Sequence, residues 1–577
     1  MSVALIGVLL VTSCAWAKKN STKKKFDPFN ETKKEYDARA QWFRDAKLGV
    51  FIHWNPSSLI GQEISWSRAG YGAEKYDQLY KQFKGENFNA DEWIKLFEEA
   101  GIRYSNFVPK HHDGFCMFDT QTQDYNVMNT PFGRDFIKEI AEASKDSQVR
   151  FGLYYSICDW WNKTYTDAAG ADLAEYRKIM KAHFKELFTN YGPIGTVWFD
   201  GHWFPSWTHE YGRDLYAFIR QLQPETLLGN RIDQMRTNRA SGPYCKWTGS
   251  FYDAPDAVGD YQAREVDMGK FYMGKAWDNC LTLNKQGWAW VPPANPRPLP
   301  ELLSWLIECI GRDGNMLLGV GPRPDGTIHP LQAKRMLEMG DWLKLNGEAV
   351  YGTRGGPYLP NEQVVATRKG NKVFVFVKQW DGDSIELPAL PATIRSARLI
   401  TGGTVTVDTK SDKWIVHVPE VFHRPVATIV EVTLDEDAMK MDTVKIPEPV
   451  VVSTGKPVTV SGQWVEREKE LSKNHANDGN FGTIWAGPEN SRNGWVQIDL
   501  GVDHEIVKAI IDDSSYNRTR KFEIKAKVGG QWKTIASGTT IGTKKKITFD
   551  KVKARIFRLE IIEATDVPVI AEFQLFE

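Results

Sequence analysis

Over the first two thirds of the chain, short apolar runs alternate with longer stretches whose apolar residues recur every three or four positions. The runs read as buried strands: Gly49–Trp54 (GVFIHW), Tyr104–Lys110 (YSNFVPK), Phe151–Ser156 (FGLYYS), Thr196–Asp200 (TVWFD), Leu227–Arg231 (LLGNR) and Met316–Gly321 (MLLGVG). The stretches Asp91–Ala100, Arg134–Ser144, Asp172–Asn190 and Glu210–Leu222 read as amphipathic helices, the first capped by Asn89 and stopped by Gly101. The early strands recur about every 45–55 residues, which is a strand–helix unit plus a long loop. Sustained over 36–356, this alternation predicts an α/β fold, a (β/α)8-like TIM barrel. A doubly wound open sheet is the alternative, but no G-x-G-x-x-G follows a strand.

After Gly355-Gly356 the pattern shortens to strands Lys372–Trp380, Ser396–Thr401, Trp414–Val418 and Ala427–Leu434, broken by Gly, Asp and Pro turns. This predicts an antiparallel β-sandwich over 357–436. A proline-bearing linker follows at 437–455, and a second all-β sandwich fills 456–577. At the other end, the apolar run SVALIGVLLVTSCAWA ends on the cleavage-like Ala15-Trp16-Ala17. Residues 1–17 are expected to be a removed leader and 18–35 a lysine-rich flexible spacer. Val11-Thr-Ser-Cys14 also has the form of a lipobox, so Cys14 is a candidate lipid anchor. The expected location is secreted, periplasmic or outer-membrane lipoprotein.

Equal numbers of basic and acidic residues, 73 each, argue against nucleic acid as the main partner. The 22 Trp, 20 Tyr and 29 Phe suit ligands with both CH faces and hydroxyls, as sugars have, although large cores also use aromatics. Cys116, Cys158, Cys245, Cys280 and Cys309 lack metal or disulfide-framework spacing and read mostly as buried thiols.

Barrel active sites lie where strands end, and here five strands end on chemically able residues: His53-Trp54, Lys110-His-His-Asp-Gly114, Tyr154-Tyr155, Asp200 and Asn230-Arg231. Ordinary turns favour Asn, Gly, Asp and Ser over His, Tyr and Arg. Alternation places Trp198 and Asp200 on one face of their strand, with Val197 and Phe199 turned to the helices. The histidines read as hydroxyl partners rather than metal ligands, because neutral imidazole offers one donor and one acceptor.

The motifs Trp42-Phe-x-x-Ala46-Lys-x-Gly49-x-Phe-x-His53-Trp54, Lys110-His-His-Asp-Gly-Phe115, Thr130-Pro-x-x-Arg134-Asp135, Val197-Trp-Phe-Asp-Gly201 and Arg312-Asp-Gly-Asn-Met-Leu-Leu-Gly-Val-Gly-Pro322 together resemble the α-L-fucosidases of glycoside hydrolase family 29. The resemblance implies that Asp200 is a nucleophile, and that His53, Trp66, His111, His112, Tyr155, Trp198 and Arg231 bind fucose. Where the family often has Glu-Trp, this chain has Ser65-Trp66, so one hydroxyl contact is missing or comes from Glu63. A retaining glycosidase needs a second, protonated carboxyl about 5–5.5 Å from the nucleophile. Asp253, Asp256, Asp260, Glu265 and Asp267 are candidates, and Asp260-Tyr-Gln-Ala-Arg-Glu265 resembles the family's Asp-Tyr-x-Thr-Pro-Glu, which points to Glu265. Phe271, Tyr272, Trp277, Trp288 and Trp290 are candidates for an apolar patch under the fucose methyl.

In the last domain, Asn477-Asp-Gly-Asn-x-x-Thr483-x-Trp485, Gly494-Trp-Val-Gln-Ile-Asp-Leu500 and Ala571-Glu-Phe573 resemble discoidin-like family 32 carbohydrate-binding modules. That resemblance implies a structural Ca²⁺ on Asp478, Thr483 and Glu572, with no cofactor for catalysis. The implied activity is exo-acting, retaining release of L-fucose from fucosylated oligosaccharides or polysaccharides. A related exo-glycosidase for another sugar, such as an α-L-galactoside, and a catalytically inactive glycan-binding protein are the alternatives.

Overall fold

The computed structural model describes residues 26–234, 256–380, 382–447 and 450–577, apart from 466, 468 and 515. The leader, Cys14, Cys245 and the candidate acid Asp253 lie outside the described residues. The chain divides into two compact units, 1–446 and 447–577.

The first unit is built on eight parallel strands: β1 (Leu48–Ile52), β2 (Tyr104–Lys110), β3 (Leu153–Ser156), β4 (Thr196–Asp200), β5 (Leu227–Leu228), β6 (Tyr261–Glu265), β7 (Ala276–Thr282) and β8 (Asn315–Val320). Their order, β5-β4-β3-β2-β1-β8-β7-β6, is that of a barrel with one seam between β5 and β6. A parallel bridge from Gly229 to Tyr261 spans the seam. Asp260 finishes it: its N–H donates to the Leu228 carbonyl (2.6 Å) and its carboxylate accepts the Leu228 N–H (2.8 Å). The fold is therefore a nearly closed TIM-like barrel, as the alternation predicts.

Strands β6 and β7 escaped the periodicity reading. Gln262, Arg264, Asp278 and Asn279 interrupt their apolar runs, and no helix lies between them over 266–275. Strand β5 is shorter than predicted, because the chain turns into a short 3-10 helix at Asn230–Ile232. That turn lifts Arg231 off the strand and over the barrel mouth.

Side-chain alternation sorts the barrel into two apolar layers. Phe51, Tyr104, Tyr154, Trp198 and Tyr261 pack inside, whereas Val50, Ile52, Phe107, Tyr155, Val197 and Phe199 pack outward against the helices. The helix Ala90–Glu99 shows the local logic. Asn89 accepts the Glu92 N–H, acidic Asp91 and Glu92 occupy the first turn, and Trp93, Ile94 and Phe97 are buried. Gly101, at φ +80°, ends it where other residues are strained. Much of the aromatic load is structural: the Trp54 ring meets Phe83, Phe88, Trp93, Phe132 and Phe136 at centroid distances of 4.9–5.7 Å. Such ring pairs each contribute about 0.5–1.5 kcal/mol beyond area burial.

The barrel continues into an antiparallel pair of sheets. Strands β9 (Arg354–Gly355), β10 (Val364–Lys369), β11 (Lys372–Val377), β13 (Ile394–Leu399) and β16 (Thr428–Leu434) form one. The other holds β12 (Ser384–Pro388), β14 (Thr406–Thr409) and β15 (Lys413–His417), and the two enclose a shared core around Val375, Trp414 and Val430. The second unit is all β, dominated by the long strands Gly494–Asp512 and Lys545–Ala564, with the strand Glu572–Phe576 paired to the first of them. Its core is separate and centres on Trp485, Ile498, Phe522 and Phe557. No helix among the described residues is long and apolar enough to cross a membrane.

Candidate active site

In parallel register, β3 and β4 pair Tyr154 with Trp198 and Ser156 with Asp200. Asp200 therefore ends β4 at the carboxyl-terminal mouth of the barrel, and Gly201 turns the chain away at φ +81°. The Asp200 carboxylate has three neighbours. Arg231 Nη1 donates to Oδ1 at 3.0 Å, Tyr154 Oη donates to Oδ2 at 3.0 Å, and His112 Nε2 stands 3.5 Å from Oδ2. Burial pushes the Asp200 carboxyl up to about 6; the Arg231 charge opposes that shift and nearby Glu265 adds to it.

Arg231 also donates through Nη2 to Glu265 Oε2 at 3.1 Å, so one guanidinium holds two carboxylates. The arginine itself is buried against the Trp198 ring, 4.2 Å from its centroid. The Glu265 side chain, at 39% exposure, reaches the rim, whereas that of Asp200 is 14% exposed. The other described acid candidates lie elsewhere. Asp260 is tied to Arg39 (2.8 Å), Tyr216 (2.8 Å) and Arg220 (3.5 Å). Burial raises its carboxyl, but Arg39, Arg220 and the Leu228 N–H outweigh that and hold it below the ordinary range. Asp256 faces His209 at 3.4 Å, and Asp267 accepts the Gly269 N–H.

His53, His111 and His112 are all buried, and each keeps one ring nitrogen without a hydrogen-bond partner: His53 Nδ1, His111 Nε2 and His112 Nε2. The other sides of His111 and His112 are fixed, His111 Nδ1 by the Ser65 hydroxyl and His112 Nδ1 by Ser156 Oγ at 2.7 Å. Burial lowers the His53 imidazole to about 3 and drives His111 and His112 well below their usual value, helped by neighbouring positive groups. Three neutral rings thus offer unsatisfied nitrogens beside a carboxylate, an arrangement suited to sugar hydroxyls. His111, His112 and Asp200 present ligand atoms within 4.8 Å of one another. The positive charge at that point, however, already comes from Arg231.

Two sequence expectations are corrected. Tyr155 does not line this pocket: its hydroxyl meets His183 Nδ1 at 2.8 Å and its ring packs on Phe184, on the helix side of β3. Tyr154 takes the place, because the register with Trp198 and Asp200 turns it inward. The adjacent tyrosines are indistinguishable by type; only strand parity separates them. Glu63 does not replace the family's glutamate either. Its carboxylate accepts the backbone N–H groups of Ile64, Trp288 and Ala289, and Ser65 bonds His111 instead.

Trp66 sits at the rim, 49% exposed, with its ring 5.2 Å from that of His112. Of the aromatics at 271–290, Trp288 reaches the pocket, 5.9 Å from Phe51 and 5.7 Å from His53. Trp277 is buried under Arg264, and Trp290 stacks on His329. The described cysteines, Cys116, Cys158, Cys280 and Cys309, are buried free thiols.

In the second unit, Asp478 Oδ2 accepts the Thr483 hydroxyl at 2.9 Å and Oδ1 accepts the Asn480 N–H at 2.8 Å. Glu572 Oε1 accepts the Gly479 N–H at 2.6 Å, while Oε2 is buried without a hydrogen-bond partner. Burial and the Asp478 carboxylate push Glu572 up to about 7. An orphaned carboxylate oxygen beside a second carboxylate and a hydroxyl is a fit for a hard cation.

The sequence profile of the Alpha-L-fucosidase family matches residues 14–348, and that of the F5/8 type C domain matches 457–573. Plasma alpha-L-fucosidase of Homo sapiens is 29% identical over 356 residues, 57% of this chain and 72% of that protein. Tissue alpha-L-fucosidase of Macaca fascicularis is 26% identical over 404 residues, 64% of this chain and 83% of that protein. Among solved structures, alpha-L-fucosidase isoenzyme 1 from Paenibacillus thiaminolyticus superposes with a TM-score of 0.62 at 30% identity, covering 70% of this chain and all (100%) of that one. A Bacteroides thetaiotaomicron GH29 enzyme, solved as a covalent intermediate trapped with 2-fluoro-fucosyl fluoride in a mutant, shares the fold at a TM-score of 0.61 and 24% identity, covering 69% of this chain and 96% of that one. With the profile covering more than half of the chain, a TIM-like barrel beneath the site and a fucosidase fold matched over 70% of the chain, this chain belongs to the α-L-fucosidases of glycoside hydrolase family 29 and carries a C-terminal F5/8 type C domain.

Proposed function

We propose that this α-L-fucosidase is an exo-acting, retaining enzyme in which Asp200 is the nucleophile and Glu265 the general acid and base. One observation carries the reading: Arg231 binds both carboxylates at once, one inside a buried pocket and one at its rim. Its charge favours the anionic form of Asp200 against burial. Asp200 attacks C1 of the fucoside, the C1–O bond breaks, and the leaving oxygen takes the proton of Glu265. Glu265, now a carboxylate, draws a proton from water, whose oxygen attacks C1 and releases L-fucose and free Asp200. The unpartnered nitrogens of His53, His111 and His112, together with Trp66, suit the fucose hydroxyls. Trp198 and Trp288 supply apolar faces for the 6-methyl group.

The substrates are fucosylated glycans. In the F5/8 type C domain, Asp478, Thr483 and Glu572 would hold Ca²⁺, whose charge neutralises the paired carboxylates and fixes the loop carrying them. The leader at 1–17, with Cys14 as candidate lipid anchor, supports a location outside the cytoplasm; N-terminal sequencing of the mature protein tests it. Proton NMR of wild-type hydrolysis tests the mechanism: α-L-fucose should appear first, and β-L-fucose first would overturn retention. Asp200→Ala should be inactive, whereas Glu265→Ala should retain far more activity on activated aryl fucosides than on natural linkages.

A further inference from the structure

Three tryptophans from three different strand–helix loops converge beside the candidate nucleophile. Trp66 follows β1, Trp160 follows β3 and Trp203 follows β4. Trp66 meets Trp160 edge-on, centroids 5.0 Å apart at 67°, and lies nearly parallel to Trp203, 6.4 Å away at 20°. All three surround one ring: the His112 centroid is 5.2 Å from Trp66, 5.2 Å from Trp160 and 5.8 Å from Trp203. The Trp160 backbone N–H also donates to the His112 carbonyl at 2.7 Å, which fixes that loop on the histidine. His112 Nε2 in turn lies 3.5 Å from Asp200.

The cluster extends from the pocket to its rim. His53, His111, Trp198 and Arg231 are at most 6% exposed, whereas Trp66 is 49% exposed and neither Trp160 nor Trp203 is buried. Leaving large indoles open to water costs apolar burial, at roughly 25 cal/mol per Å². The proposed proton donor Glu265 also reaches the rim, so the sugar that leaves with its oxygen emerges at this level.

We infer that Trp160 and Trp203, packed against the fucose-binding Trp66, form an aromatic subsite for the pyranose that carries the fucose, so that the enzyme selects oligosaccharide leaving groups. This rests on the assignment of Asp200 and Glu265 above. The axial CH face of a pyranose covers an indole, and its hydroxyls stay wet at the rim. Because the leaving sugar is held as its bond breaks, the subsite acts on kcat/KM for oligosaccharides and not on the chemistry of the fucosyl group.

The test compares two substrates on the full chain. The first is α-L-fucosyl fluoride, whose leaving group is one atom and cannot reach the cluster. The second is whichever α1,2-, α1,3-, α1,4- or α1,6-linked fucosyl disaccharide the wild type cleaves fastest. For Trp160→Ala and Trp203→Ala, the ratio of kcat/KM on the disaccharide to that on the fluoride should fall at least tenfold, with Trp203→Phe recovering most of it. An unchanged ratio, whether both activities fall together or neither does, overturns the subsite. Failure of the underlying assignment looks different: Asp200→Ala would still hydrolyse the fluoride at the wild-type rate.

Discussion

The barrel and the F5/8 type C domain each bring two carboxylates together, and they handle the repulsion in opposite ways. In the barrel, Arg231 stands between Asp200 and Glu265 and bonds both. In the C-terminal domain, Asp478 and Glu572 face each other, and among the described residues no lysine or arginine is ion-paired to either. A fixed internal cation favours the charged form of Asp200 against burial while leaving room for substrate. The second pair lacks its counter-charge, so Glu572 holds a proton up to about 7 unless a cation arrives.

The largest effect comes from removing the barrel's cation. Arg231→Leu leaves two carboxylates unpaired, and kcat/KM should fall by about 10²–10³-fold. Because Arg231 lowers the Asp200 carboxyl, the acid limb of the pH–kcat/KM profile, expected near 6 in wild type, should move up. An Arg231→Leu profile with an unmoved limb would break the comparison.

The tyrosine pair sharpens it. Tyr154→Phe removes a hydrogen bond that lowers the Asp200 carboxyl, so activity should drop by about 10-fold, with a smaller upward shift of the same limb. Tyr155→Phe should leave kcat/KM near wild type and lower stability by about 1 kcal/mol through the lost His183 contact, read by chemical denaturation.

In the C-terminal domain, Ca²⁺ at about 100 times its Kd should add about 2.7 kcal/mol to unfolding, seen as a higher Tm that EDTA reverses. Glu572→Gln should abolish this response. Without the ion, Glu572 in the folded domain has a raised carboxyl, so its stabilising contribution is full below about 4.5 and is lost as pH rises through about 7. Calcium should flatten that decline.

The smallest effect concerns Asp278, buried inside the barrel, whose Oδ2 accepts the Tyr104 hydroxyl at 3.3 Å. Burial raises it to about 8, so its contribution is full below 3.8 and falls away through about pH 8. Asp278→Asn should leave stability at pH 4 nearly intact and reduce the loss between pH 4 and pH 8, measured by urea titration at those two pH values.

The architecture was legible in the sequence wherever apolar runs were unbroken. Strands β1 to β4 and β8 stood out because both of their faces are buried, so each reads as a continuous run. Strands β6 and β7 did not, because Arg264, Asp278 and Asn279 find partners that only the folded barrel supplies. Residue types at strand ends flagged the site, yet could not choose Tyr154 over Tyr155; that choice depends on the register of β3 against β4. The role of Ser65 was hidden for a similar reason, since its partner His111 comes from a different loop. The meeting of Trp66, Trp160 and Trp203 likewise depends on tertiary geometry, which no local pattern encodes.

The central claim is that Asp200 forms the covalent bond while Glu265 handles the proton. Treating Glu265→Gln with 2-deoxy-2-fluoro-fucosyl fluoride, followed by intact mass measurement and peptide mapping, tests it most directly. The prediction is a gain of one 2-fluorofucosyl group per chain, located on Asp200. An adduct on another residue, or inactivation with no adduct at all, would contradict it.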